Sequence, residues 1–463
     1  MALSRRIEIR QRQPDCQAQN GIKKDGSIAG NLGRKRLACK DLTLVRNCSV
    51  RTDPWIDHGE LNQAKREGAM DRATEIALCK KLLHYVDTRT TALAAAPWEN
   101  SVDAFASPER LAREQQILFR DYPLLMGISS EWAVPGQYRT DDLAGVPILM
   151  VRGNDGILRA FLNVCRHRGA KVADSCGATK LFRCPYHAWT YDLAGQLKAI
   201  PAEAAFANVR QSRASLTALP LCEKYGLVWV VPRPTADGAT TFDIDPWLGG
   251  LGPELTSYRI DTYHHYDRRL VPENANWKIL VDTFLEGYHI GFLHKDSLGS
   301  ILYGNISDFE AFGNNARVIL PRKKLVRLRE QPEAEWSLMR NTAIVYLMFP
   351  NTLIVPQGDH IEIQRIFPVD GRTDRAVMET GFYVPKKPTT EEEKLHWEKN
   401  FDLLVKVVSN EDFPTGRSMQ IGFGSGAQTH VVYGQVEPGM IHYHQGLRRA
   451  LSLPIDTGAP KDR

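Results

Sequence analysis

Two short segments, each holding one cysteine and one histidine, constrain this chain more than any other feature. Cys165 and His167 form a Cys-x-His segment, and Cys184 and His187 form a Cys-x-x-His segment further along. Two thiolates and two imidazoles together supply four ligand atoms, which is enough to complete one metal centre. The two segments therefore predict a centre with a mixed sulfur and nitrogen ligand set.

Such a ligand set is typical of two kinds of centre. A Rieske [2Fe-2S] cluster has two cysteines on one iron and two histidines on the other, whereas a structural zinc site can also take two of each. Zinc fingers usually carry both histidines on a helix, but no amphipathic helix follows His187. Gly169 and Pro185 suit tight loops, and Tyr186 and Trp189 offer rings that could shield a cluster from water. We therefore expect the cluster, with zinc as the alternative.

Length and composition set broader limits. The chain has 463 residues, of which 43% are hydrophobic and 24% charged, as in ordinary globular proteins of two or three domains. No apolar run approaches the length of a membrane span, and the net charge of +5 is concentrated in residues 1–69. We therefore expect no nucleic-acid or membrane partner. The remaining six cysteines lack the spacing of a disulfide framework, which favours a cytoplasmic location.

The pattern along the chain predicts four parts. Residues 1–69 form a basic leader without regular periodicity, which we expect to be disordered; Met70 is a plausible alternative start, and a targeting peptide is the other interpretation of the leader. Residues 70–120 form a helical segment, residues 121–240 the small β domain with the cysteine–histidine segments, and residues 241–463 a further domain. A connector rich in proline and threonine precedes that last domain.

A second group of metal-ligating residue types lies within residues 274–294. Apolar spacing predicts a helix in which Asp282, Glu286 and His289 share one face. His294 lies about 140° away from His289 around an ideal helix. The two histidines can therefore meet at one metal only if the helix ends or bulges near Gly291. Taken alone, the segment would better suit a buried helix with satisfied polar groups, but the predicted cluster upstream favours a metal site.

Together, the two groups resemble the α subunits of Rieske non-haem iron oxygenases. Members of this family carry the two cysteine–histidine segments, followed by an acidic residue, two others, a histidine, four others and a histidine. Glu286, His289 and His294 match that order, although many relatives have aspartate at the first position. The resemblance implies one [2Fe-2S] cluster held by Cys165, His167, Cys184 and His187. It also implies one Fe(II) held by His289 and His294.

A third iron ligand is needed to complete the two-histidine, one-carboxylate triad of non-haem Fe(II) oxygenases. In the family this carboxylate comes from a later helix, and the matching stretch contains Glu411 and Asp412. The downstream match favours Asp412, with Glu411 as its rival. We expect His442 and His444, which follow in the same matching region, to be structural residues and not metal ligands.

The resemblance also implies an α+β architecture, with a small all-β Rieske domain and a helix-grip catalytic domain. Alternating or apolar stretches predict strands over residues 342–348, 351–356, 360–367 and 377–384. A long helix is predicted over residues 390–409. An antiparallel sheet packed on such a helix would form the substrate pocket of the helix-grip fold.

The resemblance implies how the centres would cooperate. Family members form homotrimers in which the cluster of one subunit faces the mononuclear iron of the next. The acid at the position of Glu286 would bridge His187 of one subunit and His289 of another. The chain has no dinucleotide fingerprint, so we expect electrons from a separate NAD(P)H-dependent reductase, directly or through a ferredoxin. A β subunit is compatible with the family but not implied.

The expected function is that of a terminal oxygenase component, which uses O2 to hydroxylate, dihydroxylate or oxidatively demethylate a small organic substrate. An aromatic substrate, as in aromatic hydrocarbon catabolism, is the first expectation; a small quaternary amine is the alternative. A pure Rieske electron carrier would not need His289, His294 or Asp412. Two positions depart from the family pattern: Ala188 replaces a usual glycine, and Thr283 replaces an asparagine common near the iron.

Overall fold

The structure, a computed structural model, describes residues 70–206 and 208–455. The predicted leader over residues 1–69 lies outside the described residues. The described chain begins with helices α1 (Arg72–Thr88), α2 (Asp103–Ala106) and α3 (Pro108–Ile117), with strand β1 (Trp98–Ser101) between the first two. The side chains of Asp71 and Ser107 accept hydrogen bonds from the first turns of α1 and α3, which stabilises both helix starts.

The next part is all β apart from short helical turns. Its strands form a five-stranded sheet of order β10-β5-β4-β3-β6 and two three-stranded sheets of orders β11-β12-β2 and β7-β8-β9. All pairs are antiparallel. The bounds are β2 Leu124–Ile128, β3 Gln137–Asp141, β4 Ile148–Arg152, β5 Leu158–Leu162, β6 Cys176–Ala178, β7 Phe182–Arg183, β8 Thr190–Tyr191, β9 Leu197–Ala199, α4 Val209–Ser212, β10 Ala218–Leu219, β11 Leu221–Lys224 and β12 Leu227–Val230.

The last part is built on one seven-stranded antiparallel sheet of order β13-β19-β18-β17-β16-β15-β14. Its strands are β13 His264–Glu273, β14 Asp308–Phe312, β15 Asn315–Pro321, β16 Thr342–Met348, β17 Thr352–Pro356, β18 Ile361–Pro368 and β19 Ala376–Val384. The helices are α5 Asp245–Leu248, α6 Gly252–Ser257, α7 Trp277–Asp282, α8 Leu338–Asn341, α9 Glu391–Val407, α10 Phe413–Gly424 and α11 Pro438–Ala450. Strand β20 (His430–Tyr433) pairs with β1. The predicted strands and the α+β class are confirmed.

Helix α9 starts as its sequence predicts and packs against the sheet. Thr390 and Glu393 form a reciprocal capping box at its first turn, an arrangement that satisfies two otherwise unpaired backbone N–H groups. Phe401 of α9 stacks on Phe382 of β19, with ring centroids 5.0 Å apart. The long helix is therefore confirmed, and its end determines where the following residues lie.

A buried charge network joins the β part to the seven-stranded sheet. Arg365 of β18 donates to Asp141 of β3 at 2.8 Å and to Glu379 of β19 at 2.7 Å. Arg268 of β13 donates to Glu131 at 2.7 Å. These side chains are almost fully buried, so removing one partner would leave an uncompensated charge in the interior. The network therefore fixes the two parts in one relative orientation.

Among the helices of the described residues, none has the length and apolar character needed to cross a membrane.

Candidate metal centres

The two cysteine–histidine segments form loops with the same backbone pattern. In the first loop, Cys165 N–H donates to the carbonyl of Ala170, and Gly169 N–H donates to the carbonyl of Cys165. In the second, Cys184 N–H donates to the carbonyl of Trp189, and Ala188 N–H donates to that of Cys184. Because strands β7 and β8 flank the second loop, its cysteine is held at the end of a hairpin. Both cysteines are buried.

The structure places the predicted ligands side by side in pairs, histidine with histidine and cysteine with cysteine. The rings of His167 and His187 lie 4.7 Å apart between centroids. The Nδ1 atoms of both rings are buried without a hydrogen-bond partner among the described residues, which is costly for a polar atom unless another group occupies its lone pair. Two buried thiols and two unpartnered imidazole nitrogens fit the ligand set of a [2Fe-2S] cluster.

Aromatic rings cover one side of this group. Trp189 stacks on His167 with centroids 5.0 Å apart and planes at 7°, and Phe206 meets the His167 ring edge-on at 5.7 Å. Tyr186 packs beside His187 at 3.8 Å but remains 59% exposed. The covering role predicted for Trp189 matches this packing. The exposed ring of Tyr186 therefore forms the solvent-facing side of this group.

The hydroxyl of Tyr191 lies 3.4 Å from the Sγ of Cys165. Since this hydroxyl already accepts a hydrogen bond from Arg166 N–H at 2.9 Å, its own proton is free to point at the sulfur. A hydrogen bond to a ligand sulfur stabilises the more negative, reduced cluster. The Tyr191→Phe variant should therefore lower the reduction potential by on the order of 60 mV, about tenfold in equilibrium constant for one electron.

Redox titration followed by EPR would measure this shift. Tyr186→Phe is the matched control, because it removes the same hydroxyl from an exposed ring and should leave the potential unchanged. Equal potentials for wild type and Tyr191→Phe would show that the hydroxyl does not donate to the sulfur.

The departure at Ala188 has a local conformational cost. Ala188 has φ +57°, and the corresponding Gly169 in the first loop has φ +83°. This left-handed region costs a non-glycine residue roughly 1–2 kcal/mol. We expect Ala188→Gly to raise, and Gly169→Ala to lower, the free energy of unfolding, each by about 1 kcal/mol after allowing for glycine's greater unfolded entropy.

The thermal midpoint for loss of the cluster's visible absorption would test both variants. A Cβ added at Gly169 meets only Val164, at 3.9 Å, so any loss there reflects backbone strain rather than a clash. A midpoint that falls in Ala188→Gly would contradict the expected sign.

The second predicted centre is also assembled by the structure. One ligand atom from each of His289, His294 and Asp412 lies within 4.8 Å of the others. The Oδ1 of Asp412 is 3.1 Å from the Nε2 of His294 and 3.5 Å from the Nε2 of His289. His294 and Asp412 are buried and His289 is partly exposed. Two imidazole nitrogens and one carboxylate that converge in this way fit the facial triad of a non-haem Fe(II) site.

The backbone that carries the two histidines differs from the predicted helix. Helix α7 ends at Asp282, and His289 begins a separate 3₁₀ turn that ends at Gly291. Asp282, Glu286 and His289 therefore do not share one helical face, and that prediction was wrong. Because the helix ends early, His289 and His294 can turn towards the same point. Gly287 permits a close approach here, since a Cβ would lie 2.6 Å from Leu320.

Asp412 reaches the histidines from a distorted helical turn. Residues Val408–Asp412 form a π-helical segment between α9 and α10, a distortion that often marks functional sites. The adjacent Glu411 contacts the other ring nitrogen of His294, Nδ1, at 2.7 Å. Glu411 also accepts a hydrogen bond from Ser297 at 2.6 Å. Glu411 therefore supports His294 from outside the triad, as carboxylates commonly do for metal-bound histidines.

Glu286 supports the other histidine. One oxygen of Glu286 contacts the Nδ1 of His289, and the second accepts from the backbone N–H of His289 at 3.1 Å. The Nε2 of His289 is thereby directed towards Asp412. Of the two contacts predicted for Glu286, the one with His289 is therefore present within a single chain.

Acidic groups dominate the electrostatics around this centre. Burial alone would lower the pKa of His294, but contacts with Asp412 and Glu411 raise it. The pKa of Glu437 is raised by burial and by the neighbouring carboxylates of Glu286 and Asp282. This concentration of negative charge suits a site that holds a cation.

Asp282 belongs to a supporting pair that the sequence did not reveal. Its oxygens lie 2.9 and 3.0 Å from the Nε2 of His444, and Asn100 lies 3.2 Å from the Nδ1 of the same ring. His442 contacts the backbone carbonyl of Asn315 at 3.1 Å. Both histidines of α11 therefore have partners away from the triad.

Comparison with known families gives two matches on this chain. The family described as "Rieske [2Fe-2S] domain" matches residues 124–216, and the one described as "Ring hydroxylating alpha subunit (catalytic domain)" matches residues 255–453. The first range contains all four predicted cluster ligands, and the second contains His289, His294 and Asp412.

Curated relatives cover most of the chain. The carnitine monooxygenase oxygenase subunit of Escherichia coli K12 is 27% identical over 377 residues, covering 75% of this chain and 92% of that protein. The choline monooxygenase of Amaranthus tricolor is 24% identical and covers 81% of this chain and 82% of its own. The glycine betaine monooxygenase oxygenase subunit of Chromohalobacter salexigens is 28% identical over 51% of this chain and 52% of its own.

Solved structures share the fold. A quaternary ammonium Rieske monooxygenase in complex with L-carnitine superposes with a TM-score of 0.65 at 22% identity, covering 77% of this chain and 96% of that one. Naphthalene 1,2-dioxygenase from a Rhodococcus species, bound to indole, gives a TM-score of 0.61 at 19% identity and covers 81% of this chain and 98% of its own.

Proposed function

The chain belongs to the α subunits of the Rieske non-haem iron oxygenases, and we propose that it oxidises a small quaternary ammonium compound at an iron held by His289, His294 and Asp412. A [2Fe-2S] cluster and a mononuclear iron are the cofactors of this family. The observation that carries the ligand assignment is the convergence of the three side chains within 4.8 Å. For the cluster, we propose Cys165, His167, Cys184 and His187 as the ligands.

The relatives support the substrate class. The curated relatives described above are named for carnitine, choline and glycine betaine, all small compounds with a trimethylammonium group. The expectation of aromatic hydrocarbon catabolism has no comparable support, because the likeness to naphthalene dioxygenase is at 19% identity and concerns the fold. We therefore propose the quaternary amine, which was the alternative from the sequence, as the substrate.

The chain's own residues prepare the site for this reaction. When bound, the mononuclear iron supplies the open coordination positions for O2 chemistry, and the cluster supplies electrons one at a time. Glu411 and Ser297 hold the ring of His294, and Glu286 holds the ring of His289. Since both imidazoles are fixed through Nδ1, both Nε2 atoms remain directed at the metal position.

We also propose the homotrimer of the family, with Glu286 as the bridge between subunits. The buried Nδ1 of His187 has no hydrogen-bond partner among the described residues. With that nitrogen on the cluster, the opposite edge of the ring would be left for another chain. Tyr186, Tyr288 and Phe292 are 59%, 48% and 71% exposed and flank His187 and His289 in sequence. A neighbouring subunit would bury these rings and bring its Glu286 within hydrogen-bond distance of His187. An electron and a proton could then pass from the cluster to the iron site through this contact.

Family members draw electrons from a separate protein and consume O2 with a small-molecule substrate. We propose a NAD(P)H-dependent reductase as the electron donor, with or without an intervening ferredoxin. A β subunit and a cytoplasmic location stay predictions.

The test starts with iron and acid-labile sulfide on anaerobically purified protein, with an EPR spectrum after reduction. The cluster accounts for two irons and two sulfides, and the triad adds one iron. Reductase, NADH and O2 are then supplied with choline, glycine betaine, carnitine or naphthalene. The expected result is that one trimethylammonium compound is consumed and that its oxidised product forms in an equal amount. Oxidation of naphthalene alone would overturn the substrate class, and zinc without sulfide would overturn the cluster.

A further inference from the structure

Three buried polar side chains form a compact patch on strands β18 and β19. Glu362 and Gln364 lie two residues apart on β18, and Thr380 of β19 is the direct cross-strand partner of Gln364. Because alternate residues and cross-strand partners share a face, all three side chains point to the same side of the sheet. Glu362 is 4% exposed, and Gln364 and Thr380 are fully buried.

Two atoms of this patch have no partner among the described residues. They are the Oε1 of Gln364 and the Oγ1 of Thr380. The Nε2 of Gln364 donates to Glu362 at 3.3 Å, which fixes the orientation of the amide and leaves its oxygen pointing away from that bond. A buried acceptor without a donor is costly in an otherwise satisfied interior. What distinguishes these two oxygens is that they lie on directly paired residues of one sheet face, beside a buried carboxylate.

The patch also carries excess negative charge. His360 contacts Asp359 through Nδ1 at 2.7 Å and Glu362 through Nε2 at 3.1 Å. Burial alone would lower the pKa of His360, but these two contacts raise it to about 9. One imidazolium thus faces two carboxylates, with His396 a further, exposed contact of Asp359 at 3.4 Å. Arg269, the cross-strand partner of Thr380, is matched by Glu398 at 2.9 Å and Asp402 at 2.5 Å, so the charge left over is negative.

The sheet face that carries the patch continues towards the proposed iron site. Val355 and Leu353 of β17 are the cross-strand partners of Glu362 and Gln364. On the same face, Leu353 pairs with Leu347 of β16, and Leu347 pairs with Ala316 of β15. Leu320, four residues further along β15 on that face, lies against Gly287, two residues before the first histidine. Helix α7 packs against β18 and β19, and α9 covers Phe382 beside the patch. The patch thus lies in the layer between the sheet and the helices that lead to the triad.

We propose that Glu362, Gln364 and Thr380 recognise the trimethylammonium group of the substrate. This inference rests on the proposed function and adds the residues that select the cation. A quaternary nitrogen has no N–H to donate, so it is stabilised by a carboxylate and by oxygens that face its polarised methyl groups. The carboxylate of Glu362 and the oxygens of Gln364 and Thr380 supply that charge and those lone pairs. The same oxygens would also accept N–H hydrogen bonds from a primary amine, so a neutral analogue is the probe that isolates the effect of the charge.

Equilibrium binding to the iron-loaded full chain would test the proposal. The probes are choline, glycine betaine and carnitine, together with the neutral analogue of choline in which carbon replaces nitrogen. For the trimethylammonium probe that binds wild type best, Glu362→Gln should weaken binding by about tenfold or more, the size of one charged contact. The neutral analogue should bind Glu362→Gln and wild type equally. Glu391→Gln is the control, because it removes the same charge from a side chain that is 89% exposed at the start of α9.

Thr380→Val is a second test that remains available if Glu362→Gln does not fold. The substitution is nearly isosteric and deletes a hydroxyl that has no partner, so we expect unchanged thermal stability and a severalfold loss of affinity for the cation. Unchanged cation binding in both variants would overturn the recognition patch while leaving the proposed function intact. If wild type binds no trimethylammonium probe, the proposed substrate class fails and the patch assignment fails with it.

Discussion

Replacing Asp412 by asparagine should remove the mononuclear iron and abolish turnover while leaving the [2Fe-2S] cluster in place. Among the described residues, Asp412 is the one acid whose carboxylate converges with the ring nitrogens of both His289 and His294. An amide of the same shape lacks the negative charge of the carboxylate that completes the two-histidine, one-carboxylate set of Fe(II). We expect iron per chain to fall by one, unchanged sulfide, and a loss of turnover of at least about a hundredfold.

Glu411→Gln is the matched comparison for this variant, because it makes the same chemical change one residue away. Glu411 contacts the Nδ1 of His294 and not Nε2, the nitrogen that faces Asp412. Losing this support should weaken iron binding by roughly 10–100-fold, the usual effect of a residue that orients a metal ligand. Added Fe(II) should therefore restore Glu411→Gln but not Asp412→Asn. The reverse pattern would make Glu411 the ligand.

The π-helical segment explains how two consecutive acids serve one histidine. In a regular α-helix, neighbouring side chains point about 100° apart. Here Glu411 contacts Nδ1 and Asp412 contacts Nε2 of the same ring. The imidazole of His294 thus lies between the two carboxylates. Glu411 fixes the orientation of the ring through Nδ1, and Nε2 faces Asp412 and the proposed metal position. The distortion after α9 therefore has a chemical consequence at the site.

Local patterns made much of the fold predictable. Helix α9 carries its own start signal in Thr390 and Glu393, and the central strands have the apolar character of buried sheet. The end of α7 was not predictable, because residues 283–288 keep helical spacing in the sequence. Tertiary contacts decide there: Gly287 packs against Leu320, and Glu286 turns back to His289. Propensity is a weak prior where such contacts compete.

Long-range polar contacts were beyond any sequence pattern. Asp141 and Arg365 are 224 positions apart, and Asp282 and His444 are 162 apart, so no spacing rule links them. Similarly, residue types alone could not separate Glu411 from Asp412, since both are acids on one turn. The fold adds which ring nitrogen each carboxylate meets, and that contact pattern favours Asp412.

Glu286→Gln should leave both metal centres intact and still abolish substrate oxidation. The glutamine can keep a hydrogen bond to His289, so the triad geometry in one subunit should survive. It cannot carry the negative charge that would hold a protonated imidazole on either side of a subunit bridge. Glu286→Gln, like Glu411→Gln, is therefore measured after Fe(II) is added. We then expect full iron and sulfide contents, an unchanged EPR signal of the cluster, and turnover reduced by at least about a hundredfold.

Stopped-flow oxidation of the reduced cluster, in the presence of substrate and O2, would locate the defect in Glu286→Gln. Slow cluster oxidation with normal substrate binding is the expected result, because electron delivery and not substrate recognition is impaired. Glu437→Gln is the control: Glu437 is a neighbouring, partly buried carboxylate that accepts a hydrogen bond from Gly434 N–H and not from a histidine. Full turnover in Glu286→Gln would show that electrons reach the iron by a route that does not need this acid, and would remove the reason to place it between subunits.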